Sequence, residues 1–310
     1  MRSVFFGTSD FAAALLRDLA TSPHRPALVV TPPDRHQGRG RKLLPPPVAV
    51  AASELGIDLL QTERTEEPAA LERIRATQTQ VGVVCAFGQI LRQPLLGELE
   101  LLNVHPSLLP RWRGAAPIER AIIAGDTETG VSIMRLTEGL DSGPVALQEP
   151  VAIEDDDYGA LSSRLERLGS RLLVQALDLR VEDRLGPMFA GQDDSAATYA
   201  EKIEAAERRL DPVRTAAELE RVVRALTPHI GAYLELAEGE RLTLTAVSAA
   251  PGTAPQGELE ADEGELVLGT AGGILRIGEL RPAGKQTMAA SDYLRGRDSL
   301  PRLANGERAA

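Results

Sequence analysis

The first thirty residues read as strand, turn, helix, strand, and that order constrains the fold more than any other feature of the chain. Arg2 to Phe6 is a short, mainly apolar run, Gly7, Thr8 and Ser9 make a turn, and from about Asp10 to Ala20 the residues Phe11, Leu15, Leu16 and Leu19 recur at helical spacing. Ala27 to Thr31 is the next apolar run. A helix between two such strands is a crossover unit, which predicts parallel strands in a sheet covered by helices. Further buried runs at Val81 to Phe87, Leu101 to Val104, Gly130 to Leu136 and Val145 to Val151 extend that sheet. The expected fold class is α/β.

At 310 residues the chain is long enough for about two domains. A long helix with Leu161, Leu165, Leu168, Leu172 and Ala176 on one face begins behind Asp155 to Asp157, which read as a cap on the helix dipole. Periodicity fades after Leu185, so residues 1–186 are expected as the first domain and 187–206 as a linker. Residues 207–310 open with a helix carrying Leu219, Val222, Val223 and Leu226 on one face. Short strand-like runs follow at Ala232 to Leu236, Leu242 to Val247, Glu265 to Leu268 and Ile274 to Leu280, which predict a small β-barrel or sandwich.

Cysteine usage and charge exclude several classes. The single Cys85 allows no internal disulfide, and the four histidines form no metal-binding spacing, so a reducing compartment and no metal are expected. Asp10 and Arg17 interrupt the N-terminal apolar stretch before any signal-type cleavage site, and no uncharged apolar run reaches the roughly 18 residues of a membrane helix. A cytoplasmic protein without membrane attachment is the expectation. The formal net charge of −11 argues against a general nucleic-acid coat, because phosphate binding leans on Lys and Arg, so any such contact has to be local.

The densest chemical signal runs from Asn103 to Pro117. Asn103 and His105, at i and i+2, point the same way where a strand ends, and the carboxyl ends of strands are where open α/β sheets bind ligands. An amide donor and an imidazole aimed at one point can hold an oxyanion and move a proton. An Asn and a His beside a turn also occur as caps, and an Asp between glycines is often a turn residue. Asp141, flanked by Gly139 and Gly143, supplies a carboxylate that would orient the histidine and complete a group suited to acyl transfer.

Asn103-Val104-His105, Ser107-Leu108-Leu109-Pro110 and Asp141 with its glycines resemble the folate-dependent formyltransferases. The longer string Arg111-Trp112-Arg113-Gly114-Ala115-Ala116-Pro117-Ile118 narrows the likeness to members that formylate the methionine carried by initiator tRNA. Phe6-Gly7-Thr8, Pro33-Asp34, Tyr199-Ala200-Glu201-Lys202 and Arg281-Pro282-Ala283-Gly284-Lys285 are similar as well, so the resemblance covers nearly the whole chain. It implies a Rossmann-like catalytic domain followed by an OB-like barrel that binds tRNA. Asn103, His105 and Asp141 would be catalytic, and Ser107, Leu108, Leu109 and Pro110 would bind 10-formyltetrahydrofolate as the formyl donor. The implied partner is initiator methionyl-tRNA, and the protein is expected to act as a monomer.

Between Asp34 and Val48, Arg35, Arg39, Arg41 and Lys42 set four cations against one carboxylate, with Gly38 and Gly40 among them. By the resemblance this is the loop that grips the acceptor stem, through Arg39, Arg41 and Lys42, and Pro45 to Pro47 form its extended exit. In the C-terminal part Arg208, Arg209, Arg281, Lys285, Arg295 and Arg297 are the candidate cations, or else solvated surface. Departures from the family pattern are Pro106, Asp211-Pro212 and Thr227-Pro228-His229-Ile230-Gly231. A formyltransferase acting on a nucleotide-linked sugar or on glycinamide ribonucleotide would share Asn103, His105 and Asp141, but would lack the basic loop and the second domain. A non-catalytic RNA-binding module would not need the three polar residues together. Cys85 is expected as core packing, and His24 and His229 show no partner in the sequence.

Overall fold

A computed structural model describes residues 1–37, 42–237, 239–262, 264–295 and 299–304. The chain divides into two compact units. The first comprises Met1–Pro117, Glu128–Ala152 and Ser162–Ala200, and the second Ile118–Thr127, Ile153–Leu161 and Glu201–Ala310.

In chain order, β1 (Val4–Gly7), α1 (Asp10–Thr21) and β2 (Leu28–Thr31) form the expected crossover. Ser9 caps α1 by accepting from the Ala12 amide, and Phe11, Leu15, Leu16 and Leu19 are buried. A hairpin of β3 (Arg35–Gln37) and β4 (Lys42–Leu44), then α2 (Pro47–Leu55), β5 (Leu59–Gln61) and α3 (Pro68–Ala76), precede β6 (Val81–Cys85). Next come α4 (Leu95–Glu98), β7 (Glu100–His105), β8 (Arg113–Gly114), α5 (Pro117–Ala124), β9 (Glu128–Arg135), β10 (Val145–Ala152) and the long α6 (Tyr158–Val181). β11 (Tyr199–Ala200) pairs in parallel with β8.

The main sheet has the order β10-β9-β7-β6-β1-β2-β5. Its five strands from β7 to β5 are parallel, and β1, β2 and β6 are buried on both faces, as in covered parallel sheets, while the edge strand β5 is half-buried to exposed. β9 and β10 depart from the crossover expectation, because β9 runs antiparallel to β7 and β10 antiparallel to β9. A short loop is enough to join β9 to β10, since an antiparallel pair needs no crossover helix.

Two stretches differ from their sequence expectation. Pro45 to Pro47 were expected as an extended exit; Pro46 is extended, at φ −56° and ψ 146°, but Pro47 is the first residue of α2, where its missing N–H costs nothing. Residues 187–206, expected as a linker, carry local structure. One-turn 3₁₀ helices at Gly186–Met188 and Asp194–Ala196 lead into β11, whose backbone bonds to residues 113–116. The segment lacks hydrophobic periodicity because polar and backbone hydrogen bonds hold it, rather than an apolar stripe.

The second unit opens its C-terminal stretch with a 3₁₀ turn and α7 (Ala216–Leu226), started by a reciprocal cap between Thr215 and Glu218. β12 (Ala232–Glu235), β13 (Arg241–Ala250), β14 (Leu259–Asp262), β15 (Glu265–Gly269), β16 (Ile274–Pro282) and β17 (Met288–Ala289) are antiparallel, and α8 (Ala290–Arg295) follows. Leu219, Val222, Val223 and Leu226 meet Leu234, Leu244, Leu266, Leu275 and Ile277 in one core, so the face expected of the helix is the face that is buried.

Candidate active site

β7 carries two buried polar residues, Asn103 and His105, at its carboxyl end. Val104 packs on α6 at Gly169, where a Cβ would come within 3.2 Å of its Cγ1, so its neighbours Asn103 and His105 face the opposite side of the sheet. Asp141 reaches them from the turn between β9 and β10. Its Oδ1 accepts from Asn103 Nδ2 at 3.4 Å, and its Oδ2 accepts from Gly114 N at 2.9 Å. The same Oδ2 lies 3.7 Å from His105 Nδ1. The other ring nitrogen, Nε2, is 2.9 Å from the Trp112 carbonyl. A carbonyl can only accept, so Nε2 carries a proton, and Nδ1 is the nitrogen left to take or give one beside Asp141. The His105 and Asp141 side chains are only 5% and 13% exposed, so solvent screens their attraction weakly.

The backbone around this group is specialised. Asp141 has φ 45° and Trp112 φ 63°, both in the left-handed region that non-glycine residues enter rarely. Gly114 has φ 123°, and a Cβ there would lie 2.8 Å from the Ala200 carbonyl oxygen, so only glycine lets β8 approach β11 with its amide turned to Asp141.

All three residues expected as catalytic are therefore together. Of the expected folate segment, Ser107 is buried and its Oγ donates to Arg111 O at 2.6 Å, while its carbonyl accepts from Ser132 Oγ at 2.6 Å. Leu109 is buried too, its amide donating to Ser132 Oγ at 3.2 Å and its carbonyl accepting from Gln148 Nε2 at 3.0 Å. Leu108 and Pro110 keep part of their surface accessible. Arg39 and Arg41 lie outside the described residues, as does Arg297. Lys42 is exposed as the first residue of β4, paired in register with Gln37.

Sequence reasoning missed the Trp112 carbonyl, the Gly114 amide and Gln192. The first two lie inside the string that carried the resemblance, but backbone groups leave no side-chain signal. Gln192 stands in the segment without periodicity. Two histidines expected without partners have them. His24 is buried with Nε2 at 2.8 Å from Asp178 Oδ1, and His229 stacks on Tyr158 with Nε2 at 3.0 Å from Glu119 Oε1. Cys85 is fully buried in β6, and burial pushes its thiol well above the usual range. Asp157 caps α6 by accepting from the Ala160 amide at 2.8 Å. Among the described residues no three His, Cys, Asp or Glu side chains gather as metal ligands, and no helix is long and apolar enough to cross a membrane.

Residues 1–177 match the formyl transferase family, and residues 202–298 match the formyl transferase C-terminal domain. The chain belongs to the formyl transferase family. It is 44% identical over 305 residues to a methionyl-tRNA formyltransferase of Halorhodospira halophila, covering 97% of each chain. A methionyl-tRNA formyltransferase of Methylococcus capsulatus is 44% identical over 300 residues, 95% of this chain and 96% of that one. Among solved structures, HypX from Aquifex aeolicus in complex with tetrahydrofolic acid superposes with a TM-score of 0.63 at 16% identity, over 94% of this chain and 46% of that one. This chain thus spans less than half of that protein, and the likeness is one of fold. Membership makes the chain an enzyme of formyl transfer in a family that uses folate.

Proposed function

We propose that the enzyme transfers the formyl group of 10-formyltetrahydrofolate to the α-amine of methionine on initiator methionyl-tRNA. The observation that carries this reading is the convergence of Asn103, His105 and Asp141 at 3.4–3.7 Å, in a chain whose near-full-length relatives are methionyl-tRNA formyltransferases. The amine attacks the formyl carbon, and the carbonyl oxygen gains negative charge in a tetrahedral intermediate. Asn103 donates to that oxygen through its amide, and His105 does so once its Nδ1 has been protonated. The new C–N bond leaves an ammonium that gives up a proton, and Nδ1 of neutral His105 is the group that can receive it. Asp141 stabilises the imidazolium that results. The intermediate collapses as its bond to N10 breaks, N10 takes the proton that the His105 imidazolium carries, which returns His105 to its neutral form, and formylmethionyl-tRNA and tetrahydrofolate leave.

Ser107, Leu108, Leu109 and Pro110 are proposed to border the folate, with Leu108 and Pro110 offering surface and Ser107 and Leu109 fixing the loop. Arg39, Arg41 and Lys42 are proposed to grip the acceptor stem. Of the C-terminal cations, Arg208 donates to the carbonyls of Gly231 and Ile230, Arg209 pairs with Glu235, and Arg295 pairs with Asp292. Arg281 and Lys285 are the better candidates for phosphate. One chain supplies Asn103, His105 and Asp141, which supports action as a monomer, and cytoplasm is the compartment where charged tRNA would be met. Incubation with methionyl-tRNA and 10-formyltetrahydrofolate should yield formylmethionyl-tRNA. Product on a sugar amine or glycinamide ribonucleotide but none on tRNA would replace this reading.

A further inference from the structure

We propose that Gln192 is a positioning residue for the transfer, the side chain that holds the Asp141 turn so that its carboxylate faces Asn103 and His105. Gln192 Nε2 donates to two carbonyls at once, Asp141 O at 2.8 Å and Gly143 O at 2.7 Å. Its Oε1 accepts from Arg113 Nε at 3.0 Å. A primary amide has two N–H groups, so both are engaged, and the side chain cannot rotate without losing all three bonds. Arg113 is itself fixed, with a side chain 4% exposed and Nη2 2.7 Å from Asp194 Oδ1.

The turn requires such a hold. Asp141 at φ 45° occupies a conformation that persists only where the surroundings determine it. Gln192 supplies a donor to both carbonyls on either side of Ser142 and so bridges the turn. The same segment reaches the other partner of His105. Thr198 Oγ1 accepts from the Trp112 amide at 2.9 Å, and Trp112 offers its carbonyl to His105 Nε2 from a left-handed backbone. The two groups that address the ring nitrogens of His105 are thus both anchored from residues 192–198. Arg113 ties them together, because it binds Gln192 and precedes Gly114, whose amide holds the Asp141 carboxylate. None of these anchoring side chains needs to touch substrate.

This inference rests on the proposed formyl transfer, so its test has one readout that needs turnover and one that does not. Gln192→Glu keeps the length and the acceptor for Arg113 but turns an oxygen toward two carbonyls, and Gln192→Ala removes the side chain. Both are expected to lower kcat by about tenfold or more while KM for 10-formyltetrahydrofolate stays within about twofold, since a misplaced group affects the chemical step more than binding. Both should also shift the ring ¹⁵N signals of His105, which has only three other histidines to be resolved from, and leave those of His24 in place. Gln192→Met, close in length and uncharged, serves if either variant melts early. Wild-type kcat with unmoved His105 signals in a folded variant overturns the proposal. If the unmutated enzyme formylates no methionyl-tRNA, the functional reading fails instead, and the His105 signals alone decide whether Gln192 positions the turn.

Discussion

Asp141 has three separate donors or cations to answer to, and each tests a different part of the chemistry. Removing its carboxylate leaves the Gly114 amide unsatisfied and His105 Nδ1 without a counter-charge. We expect Asn103→Ala, His105→Ala and Asp141→Ala each to lower kcat by about 10² or more with the fold intact, and the three losses to combine less than additively because the groups act as a unit. Steady-state kinetics on methionyl-tRNA check both parts, and near-normal turnover in any single variant would remove that residue from the mechanism. Gly143 tests the turn itself. A Cβ there would lie 1.9 Å from the backbone oxygen of Arg135, a residue held in place by its pairing with Leu102 of β7 and by its amide's bond to Pro144 O. Gly143→Ala should therefore lower both kcat and melting temperature, whereas a glycine needed only for flexibility would leave both near wild type. Cys85 sits at the other extreme, since its buried thiol gives up a proton with difficulty and only the thiolate attacks. Its reaction with a thiol reagent should follow unfolding, and rapid labelling of the native protein would contradict the packing.

Among the elements, those carried by a strong apolar period were legible and those carried by backbone chemistry were not. α1, α7, β1, β6 and β7 announced themselves through runs such as Val81 to Cys85 or the stripe from Leu219 to Leu226. α2 did not, because Val48, Ala49, Ala51 and Ala52 make a short, uniformly apolar stretch with no polar face to reveal the period. The antiparallel direction of β9 was hidden for a related reason: a strand buried on both faces reads the same whichever way it runs. Asn103, His105 and Asp141 were legible as a group through the resemblance, while Gln192 had no pattern around it. The β3–β4 hairpin belongs to this scale, since its described part includes the exposed Lys42. Neutralising Arg41 should raise KM for tRNA and lessen the salt dependence of tRNA binding by roughly one phosphate contact, leaving KM for 10-formyltetrahydrofolate unchanged. Unchanged tRNA kinetics and salt slope would move recognition to the C-terminal cations.

On the scale of the whole molecule, the sequence order of the two halves is not the order in which they pack. Stretches 118–127 and 153–161, the second of which includes the first turn of α6, belong to the second unit. Within it, Ile123 packs on the core of α7 and the antiparallel sheet, Arg221 donates to Ile123 O, and Arg224 donates to Glu154 O and Asp156 O. Arg120 binds Glu207 through both carboxylate oxygens, at 2.6 and 3.0 Å, and also donates to the carbonyls of Glu201 and Lys202. A boundary drawn from periodicity cannot show this, because the contributing pieces are too short to carry a pattern of their own. A fragment beginning at Glu201 should consequently unfold at lower denaturant than the same residues in the intact chain, as followed by the fluorescence of a probe placed on β16. Equal midpoints would mean that the two borrowed stretches are dispensable. The Arg120–Glu207 pair gives the sharper version of that test. The Arg120 guanidinium holds the Glu207 carboxyl below its ordinary value near 4.5, so the folded state favours the charged form. Stability from this pair is then fully present above about pH 4.5 and is lost as pH falls through the lowered value, where the folded carboxylate finally takes up its proton. Glu207→Gln should be less stable than wild type at neutral pH, and the gap should close on acidification. A gap of constant size down to acid would show that the side chain acts through packing and not through charge.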